Sequence, residues 1–322
     1  MKTVFLGSGQ FGIDSLNALL GSSHSPLLVI AQPPRPAGRA RKTRPTPAAC
    51  WAKENSVACI EPENVNKPEI VEKIAQLEPD VIVVAAFGQK IGNEIIALPP
   101  KGTINIHASL LPKYRGAAPI NWAIINGEHE TGISIITVVE KMDAGEVLAQ
   151  AQTSIGPFDT AGRLHDRLAA LASPLLLKTL DEIAAGTATY TPQDHSGATV
   201  APKLKKSDGL LDFSEPAQAL QRRIRGLWPW PGASAEYVSN TTGKSQRVAI
   251  AMAEVVESSN PAHVPSGTLD GNLNVICGKD ALKITKIKPA GGTIMDFEAF
   301  VNGRATQPGD AFAGIVDRTK ND

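Results

Sequence analysis

Residues 80–86 constrain the fold of this chain more than any other stretch, because they form a nearly uninterrupted apolar run that is rich in valine. A strand that is apolar on both faces is buried on both, which is typical of a parallel sheet covered by helices. Residues 2–6 and 27–31 also read as strands, and a helical pattern lies between them. The sequence therefore predicts an α/β class, with a Rossmann-like, mostly parallel sheet in an N-terminal domain.

A GxGxxG motif, Gly7 to Gly12, stands at the turn from the first strand into the first helix. Such glycines let the backbone approach a phosphate at a helix N-terminus, as a dinucleotide site requires. A nicotinamide site also needs an acidic residue at the end of the second strand, whereas this strand ends in Gln32. We therefore interpret the motif as a structural turn or as a contact to a phosphate or sugar of a substrate.

The last third of the chain has a different pattern, made of short extended runs separated by turn residues. These runs follow a predicted helix from about Ser214, and they cover residues 233–238, 246–255, 273–277 and 282–288. Their spacing predicts a small OB-like Greek-key β-barrel. We expect a Rossmann-like domain at residues 1–190 with a basic loop at 32–47, a linker at 191–207, and an OB-like C-terminal domain at 208–322.

Charge is spread unevenly along the chain, although its formal net charge is zero. Residues 31–53 hold six basic residues and no acid, residues 54–100 hold eight acids against three lysines, and residues 201–250 hold eight basic residues against four acids. Such segregation favours a polyanionic partner. A solvated loop together with a charged helix face is the alternative interpretation.

Several classes of protein are disfavoured by what the sequence lacks. No signal peptide and no apolar run of membrane-spanning length is evident. Cys50, Cys59 and Cys277 form no CxxC pair, which argues against a disulfide framework and a zinc site. We expect a cytoplasmic protein without a metal, a membrane partner or an obligatory protein partner.

Residues 103–119 carry the strongest indication of chemistry. Ile104 and Ile106 alternate with Asn105 and His107, so the two polar side chains share one face of a strand with Cβ atoms about 6.5 Å apart. The loop that follows leaves the carboxyl end of that strand, where open α/β sheets place their ligands. Asp143 is predicted on a later loop between two strands. The alternative is an ordinary strand whose polar groups are satisfied by neighbours.

These motifs resemble the signature of the folate-dependent formyltransferases, and the likeness covers nearly the whole chain. It rests on Asn105-Ile106-His107, Ser109-Leu110-Leu111-Pro112, Tyr114-Arg115-Gly116, Pro119 and Asp143-Ala144-Gly145. The resemblance implies 10-formyltetrahydrofolate as the formyl donor and Asn105, His107 and Asp143 as catalytic residues. It also implies a folate pocket formed by Phe87, Gly88, Gln89, Ser109, Leu110, Leu111, Pro112 and Asp143.

Formyl transfer to an amine passes through a tetrahedral oxyanion, so it needs oxyanion donors and a path for the proton of the amine. Asn105 provides an amide N–H, and His107 provides a donor when it is protonated. A nearby Asp143 carboxylate would favour that protonated form and help to move the proton. The amine attacks directly, so no nucleophilic Ser or Cys is required.

The basic loop at residues 32–47 contains five prolines, which predict a stiff segment without regular helix or sheet. Its Arg35-Pro36-Ala37-Gly38-Arg39 run is similar to a loop of the tRNA-specific family members, and Pro34 stands where an acidic residue is typical. The resemblance therefore implies initiator methionyl-tRNA as the acceptor. The residues predicted to bind tRNA are Arg35, Arg39, Arg41, Lys42, Lys203, Lys205, Lys206, Arg222, Arg223 and Arg225.

Three other functions compete with this interpretation. A formyltransferase for a small amine, such as a nucleotide sugar or glycinamide ribonucleotide, shares the catalytic trio but does not account for the basic segments. A nicotinamide oxidoreductase or an RNA-binding protein without catalysis leaves Asn105, His107 and Asp143 without a role.

Overall fold

The structure is a computed structural model that describes residues 1–37, 42–258 and 263–315. The chain divides into two compact units whose segments alternate along the sequence. The first unit contains Met1–Pro119, Glu130–Ser154 and His165–Ala201, and the second contains Ile120–His129, Ile155–Leu164 and Pro202–Asp322. The division into residues 1–190, 191–207 and 208–322 stays a proposal.

The first unit is built on a central sheet flanked by helices. The strands up to residue 201 are β1 (Thr3–Gly7), β2 (Pro26–Ile30), β3 (Arg35–Ala37), β4 (Lys42–Arg44), β5 (Cys59–Ile60), β6 (Val81–Ala85), β7 (Thr103–His107), β8 (Arg115–Gly116), β9 (Glu130–Thr137), β10 (Val147–Ser154) and β11 (Val200–Ala201). The helices over the same part of the chain are α1 (Ile13–Leu20), α2 (Pro47–Glu54), α3 (Pro68–Ala75), α4 (Asn93–Ala97), α5 (Pro119–Ile125) and α6 (Ala161–Ala185). Residues 120–125 of α5 and 161–164 of α6 belong to the second unit.

The central sheet has the strand order β10-β9-β7-β6-β1-β2-β5. The neighbours from β7 to β5 in that order run parallel, whereas β9 is antiparallel to both β7 and β10. Every residue of β1 and β6 is buried, as the apolar pattern of these strands requires. The prediction of a Rossmann-like, mostly parallel sheet is confirmed.

The glycine-rich turn after β1 has a packing role. A Cβ on Gly7 or Gly12 would press against the ring of Phe5, so both glycines make room for this core aromatic. Between them, the Ser8 hydroxyl donates to the carbonyl oxygen of Phe87 and accepts the N–H of Gln32, at 3.1 and 2.9 Å. These two hydrogen bonds connect the carboxyl ends of β1, β2 and β6.

The prediction that the basic loop contains no regular sheet is wrong. β3 and β4 form a two-stranded antiparallel hairpin in which Arg35 lies opposite Arg44 and Pro36 opposite Thr43. A proline lacks an N–H but is tolerated in a two-stranded ribbon, where one side of each strand needs no partner. Arg39 and Arg41 lie outside the described residues.

The second unit contains a barrel-like antiparallel sheet. Its elements are α7 (Ala217–Leu227), β12 (Ala233–Val238), β13 (Ser245–Val256), β14 (Val275–Ile276), β15 (Ala281–Pro289), β16 (Met295–Asp296), α8 (Phe297–Arg304) and β17 (Ala311–Ala313). The strand order is β14-β15-β13-β12-β17, and β16 pairs with β15. The predicted OB-like barrel is confirmed at the level of its fold.

Residues 267–269 connect the two outer strands of this sheet and nearly close the barrel. Thr268 forms a bridge to Ala311 of β17, and Leu269 forms one to Val275 of β14. Gly267 contacts both sides, since its N–H donates to Ile276 at 2.7 Å and its carbonyl accepts the N–H of Phe312 at 2.8 Å. Gly267 has φ +94°, and a Cβ there would overlap the Phe312 carbonyl.

Helix α7 begins at a different residue from the predicted one. Its N-cap is Pro216 rather than Ser214, whose hydroxyl instead donates to Asp212. Ala217, Leu220 and Ile224 lie in the hydrophobic core of the barrel, as the apolar pattern predicts.

No helix among the described parts of the chain is long and apolar enough to span a membrane.

Arg225, which is predicted to bind tRNA, has a buried side chain. Its guanidinium donates to Gln221 on its own helix at 3.0 Å and to the carbonyls of Asp159 and Gly156 at 2.9 and 3.3 Å. Residues 156–159 thus supply acceptors that the helical pattern of α7 does not reveal. We withdraw Arg225 from the predicted tRNA contacts.

Candidate active site

Strand β7 presents Asn105 and His107 on one face of the sheet. The strand lies between β6 and β9, where Asn105 stands opposite Val84 and Ile136, and His107 stands opposite Ser134. His107 is buried and Asn105 is half-buried. The two-residue period of the strand therefore places both side chains where the pattern predicts.

Asp143, on the loop between β9 and β10, completes a cluster with these residues. Its Oδ2 accepts the N–H of Gly116 at 2.8 Å and lies 3.6 Å from His107 Nδ1. Its Oδ1 lies 3.5 Å from Asn105 Nδ2. The structure therefore brings the three predicted catalytic residues together around one carboxylate.

His107 carries a proton on Nε2, and its burial favours the neutral form of the ring. The Nε2 atom lies 2.9 Å from the carbonyl oxygen of Tyr114, which can only accept a hydrogen bond. Burial lowers the pKa of His107, and the opposing influence of the Asp143 carboxylate is smaller. In that neutral form, the lone pair of Nδ1 faces Asp143, whose Oδ2 lies 3.6 Å away.

We expect His107→Gln to reduce the pH dependence of stability below about pH 6.5. The lowered pKa means that the unfolded chain binds this proton more readily than the native protein. Wild-type stability is therefore complete above the unfolded pKa and falls as the pH decreases toward the pKa of the folded state. Urea unfolding at pH 7.5 and pH 5.5 measures the difference, with His129→Gln at an exposed histidine as the control. Equal losses in wild type and His107→Gln would contradict a neutral, buried His107.

The loop after β7 is held by contacts within its own unit. Ser109 is completely buried, and its hydroxyl donates to the carbonyl of Lys113 at 2.7 Å. Leu111 is buried as well. Its N–H donates to the Ser134 hydroxyl, and its carbonyl accepts from the Gln150 amide. Leu110 and Pro112 are half-buried. Ser109 has no exposed surface, and its carbonyl already accepts from the Ser134 hydroxyl at 2.7 Å, so its predicted folate contact stays a proposal.

Phe87, Gly88 and Gln89 follow β6, the parallel neighbour of β7, and so lie at the same edge of the sheet. Phe87 is buried and Gly88 is exposed. The Gln32 side chain donates to the Phe87 carbonyl at 2.9 Å and fills the space that a Cβ on Gly88 would occupy. Gln89 binds the main chain of Val65 and Pro62 through its amide, at 2.8 and 2.9 Å.

Two residues near the cluster were not identified as functional from the sequence. Arg115 belongs to the quoted Tyr-Arg-Gly motif, and its buried guanidinium contacts Gln193. Gln193 lies in the predicted linker, and its amide donates to the carbonyls of Asp143 and Gly145 at 2.9 and 2.6 Å. A glutamine in a segment without periodicity gives no signal of such a contact.

The residues predicted to bind tRNA differ in exposure. Arg35, Lys203, Lys205 and Lys206 are exposed. Arg222 is half-buried with its guanidinium against Gly127, and Arg223 lies 3.7 Å from Glu215. The side chain of Lys42, like Arg39 and Arg41, lies outside the described part of the structure. Within the described ranges, no group of three or more His, Cys, Asp or Glu side chains could hold a metal ion.

Two family models match this chain, and together they cover most of it. The model described as "Formyl transferase" matches residues 1–180, and the model described as "Formyl transferase, C-terminal domain" matches residues 203–305. The chain therefore belongs to the formyl transferase family, and the resemblance seen in its motifs is confirmed.

Within that family, the chain is similar over nearly its whole length to proteins named methionyl-tRNA formyltransferase. A methionyl-tRNA formyltransferase of Geobacter metallireducens is 38% identical over 96% of this chain and 97% of its own length. One from Methylococcus capsulatus is 39% identical over 95% of this chain and 97% of its own length.

A solved structure shares the fold at much lower identity. It is the sugar 3N-formyltransferase WlaRD, solved in the presence of dTDP and 5-N-formyl-THF. It is 15% identical, with a TM-score of 0.62 over 90% of this chain and 97% of that chain.

Proposed function

We propose that this protein transfers the formyl group of 10-formyltetrahydrofolate to the α-amino group of initiator methionyl-tRNA. The observation that carries the proposal is the convergence of Asn105, His107 and Asp143 at the carboxyl edge of the sheet. The family membership and the names of the full-length relatives support this choice of reaction and acceptor. Aminoacylated tRNA as the acceptor implies a cytoplasmic location.

In the first step, the amine nitrogen attacks the formyl carbon and the carbonyl oxygen becomes an oxyanion. The long 3.5 Å contact between Asn105 Nδ2 and Asp143 leaves the Asn105 amide able to donate to that oxygen. Collapse of the intermediate breaks the bond from the formyl carbon to N10 of the folate. The products are the formylated amine and tetrahydrofolate, and preorganised donors are typically the largest contribution to such acyl transfers.

The proton released by the amine goes to the pair formed by His107 and Asp143. Because Nε2–H already donates to Tyr114, the basic nitrogen is Nδ1, at 3.6 Å from the Asp143 carboxylate. Asp143 stabilises the imidazolium that forms, and the pair then returns the proton to N10 of the leaving tetrahydrofolate. In this mechanism His107 begins neutral, which replaces the expectation that a protonated His107 donates to the oxyanion.

The folate substrate would be bound by the two loops that follow β6 and β7. The residues predicted to contact folate that are exposed or half-buried on these loops are Gly88, Gln89, Leu110 and Pro112. A pterin needs main-chain donors and acceptors beside an apolar wall, and an exposed glycine permits a close approach. Asp143 lies at the reacting end, between this substrate and the attacking amine.

A direct assay of acceptors tests the proposal. The purified protein is incubated with 10-formyltetrahydrofolate and either initiator methionyl-tRNA, an amino sugar nucleotide or glycinamide ribonucleotide. We expect formylation of the charged tRNA to exceed that of either small amine by several orders of magnitude in kcat/KM. Preferential formylation of a small amine would refute the acceptor and retain the reaction class.

We expect the exposed lysines Lys205 and Lys206 to contribute to tRNA binding through phosphate contacts. Each contact releases counterions, so Lys205→Ala and Lys206→Ala should each reduce the slope of log affinity against log salt by about 0.7 to 0.9. Titrations of charged tRNA across a salt series measure this slope. Lys73→Ala, at an exposed lysine of the acid-rich segment 54–100, is the matched control. Wild-type slopes in both lysine variants would exclude these contacts.

A further inference from the structure

We propose that Gln193 is a positioning residue that holds the Asp143 loop in its active geometry by connecting it to Arg115. This inference rests on the proposed function, because it concerns the same reacting centre. Gln193 is not expected to touch either substrate. Its role is to determine where the Asp143 carboxylate points.

The first half of the connection joins Gln193 to Arg115. The Gln193 Oε1 atom accepts from Arg115 Nε and Nη2, at 3.2 and 2.6 Å. Both side chains are buried, at 9% and 8% exposure, so these bonds form away from solvent. The Arg115 guanidinium is a buried charge, and breaking its bonds to Gln193 would remove acceptors that it cannot replace with water. We therefore expect the two side chains to keep a fixed relative orientation.

The second half joins Gln193 to the main chain of the loop. The Gln193 Nε2 group donates to the carbonyl of Asp143 at 2.9 Å and to that of Gly145 at 2.6 Å. The two amide hydrogens thus bind the loop on both sides of Ala144. An amide is well suited to this task because it accepts from a cation at one end and donates to two carbonyls at the other.

The loop needs such support because Asp143 has a left-handed backbone with φ +50°. This region is disfavoured for residues with a side chain and persists only where surrounding contacts enforce it. The neighbouring Met142 is 70% exposed, so packing on that side contributes little. Without Gln193 we expect Asp143 to relax and its carboxylate to move away from His107.

Arg115 and Gly116 together hold Asp143 from two directions. The side chain of Arg115 acts through Gln193 on the main chain of Asp143, while the N–H of Gly116 donates to its carboxylate at 2.8 Å. Adjacent residues of one strand thus fix both the backbone and the side chain of Asp143. These contacts form a ring through Arg115, Gln193, Asp143 and Gly116, which come from three separate parts of the sequence.

Two variants separate this role from a structural one. Gln193→Glu keeps an acceptor for Arg115 and loses both donors to the loop, whereas Gln193→Met has the same length and loses all the bonds. We expect both variants to lower kcat by about tenfold to a hundredfold, the scale of a displaced reacting group. The KM values should stay within about twofold, because Gln193 touches no substrate.

The matched control is His195→Ala. His195 Nδ1 lies 2.9 Å from Arg115 Nη2, so this change removes another neighbour of Arg115 without touching the Asp143 loop. We expect kcat to stay within about twofold of the wild-type value. Thermal unfolding of all variants reports whether they fold, and Gln193→Glu should remain folded because Arg115 keeps its partner.

A measurement without substrate completes the test. The Asp143 carboxylate raises the pKa of His107, opposing the effect of burial. NMR titration of the His107 ring, assigned with His107→Gln, should therefore give a lower pKa in Gln193→Met than in wild type. Failure of the formylation assay in wild type would refute the proposed function, and this titration would still decide the role of Gln193.

Two results would overturn the inference. One is near-normal kcat in both folded Gln193 variants. The other is reduced kcat with an unchanged His107 titration, because the carboxylate would then not have moved.

Discussion

Asp143→Asn should lower kcat for formyl transfer by about a hundredfold or more, with the fold intact. Asparagine keeps the size of the side chain and still accepts the N–H of Gly116. It has no charge, however, so it cannot stabilise the imidazolium that forms at His107, which lies 3.6 Å away. Steady-state kinetics with saturating folate and a range of charged tRNA concentrations measures the effect.

Asn105→Ala should cause a loss of similar size for a different reason, because it removes the donor to the oxyanion. Its effect should fall on kcat, since the donor acts on charge that develops only in the transition state. Asp166→Asn, at an acid whose side chain is 81% exposed on α6, is the matched control and should leave kcat unchanged. Retention of more than about a tenth of the wild-type kcat in Asp143→Asn would contradict the mechanism.

The second large effect concerns stability, and we expect Gly267→Ala to destabilise the protein by at least about 3 kcal/mol. The change adds a Cβ where φ is +94° and where the Phe312 carbonyl already fills the space. The added Cβ therefore pushes residues 267–269, which join the outer strands of the barrel, away from Phe312. Urea unfolding followed by fluorescence and circular dichroism measures the loss.

Two other glycines of the same unit separate the contributions. Gly243 has φ +64° with nothing within 4 Å of an added Cβ, so Gly243→Ala should cost about 1 to 2 kcal/mol from backbone strain alone. Gly271 also has open space and lacks a positive φ in the left-handed region, so Gly271→Ala should lie within about 0.5 kcal/mol of wild type. Equal losses at positions 243 and 267 would show that closure of the barrel contributes nothing.

The pairing of Asn105 and His107 was accessible from the sequence because strand geometry is local. A period of two places Asn105 and His107 on one face whatever the rest of the chain does. The state of His107 was not accessible, because it depends on burial and on the Tyr114 carbonyl. Gln193 was missed for the same reason, since its partners lie 78 and 50 residues earlier in the chain.

The class of each sheet was also accessible, whereas the orientation of single cations was not. Apolar runs predict buried parallel strands, and short runs with turn residues predict a barrel. The pattern of α7 correctly assigns Leu220 and Ile224 to the core. It misplaces Arg225, because a long side chain beside an apolar stripe can reach buried carbonyls on another segment.

The segment 267–269 has a consequence for the behaviour of the protein at high concentration. Outer strands of a sheet normally expose main-chain donors and acceptors on which a second chain can assemble. Here β14 and β17 direct such groups toward this segment, as the bonds of Ile276 and Phe312 to Gly267 show. Residues 267–269 thus occupy the positions that a strand of a second chain would otherwise take, which protects the barrel against intermolecular strand addition.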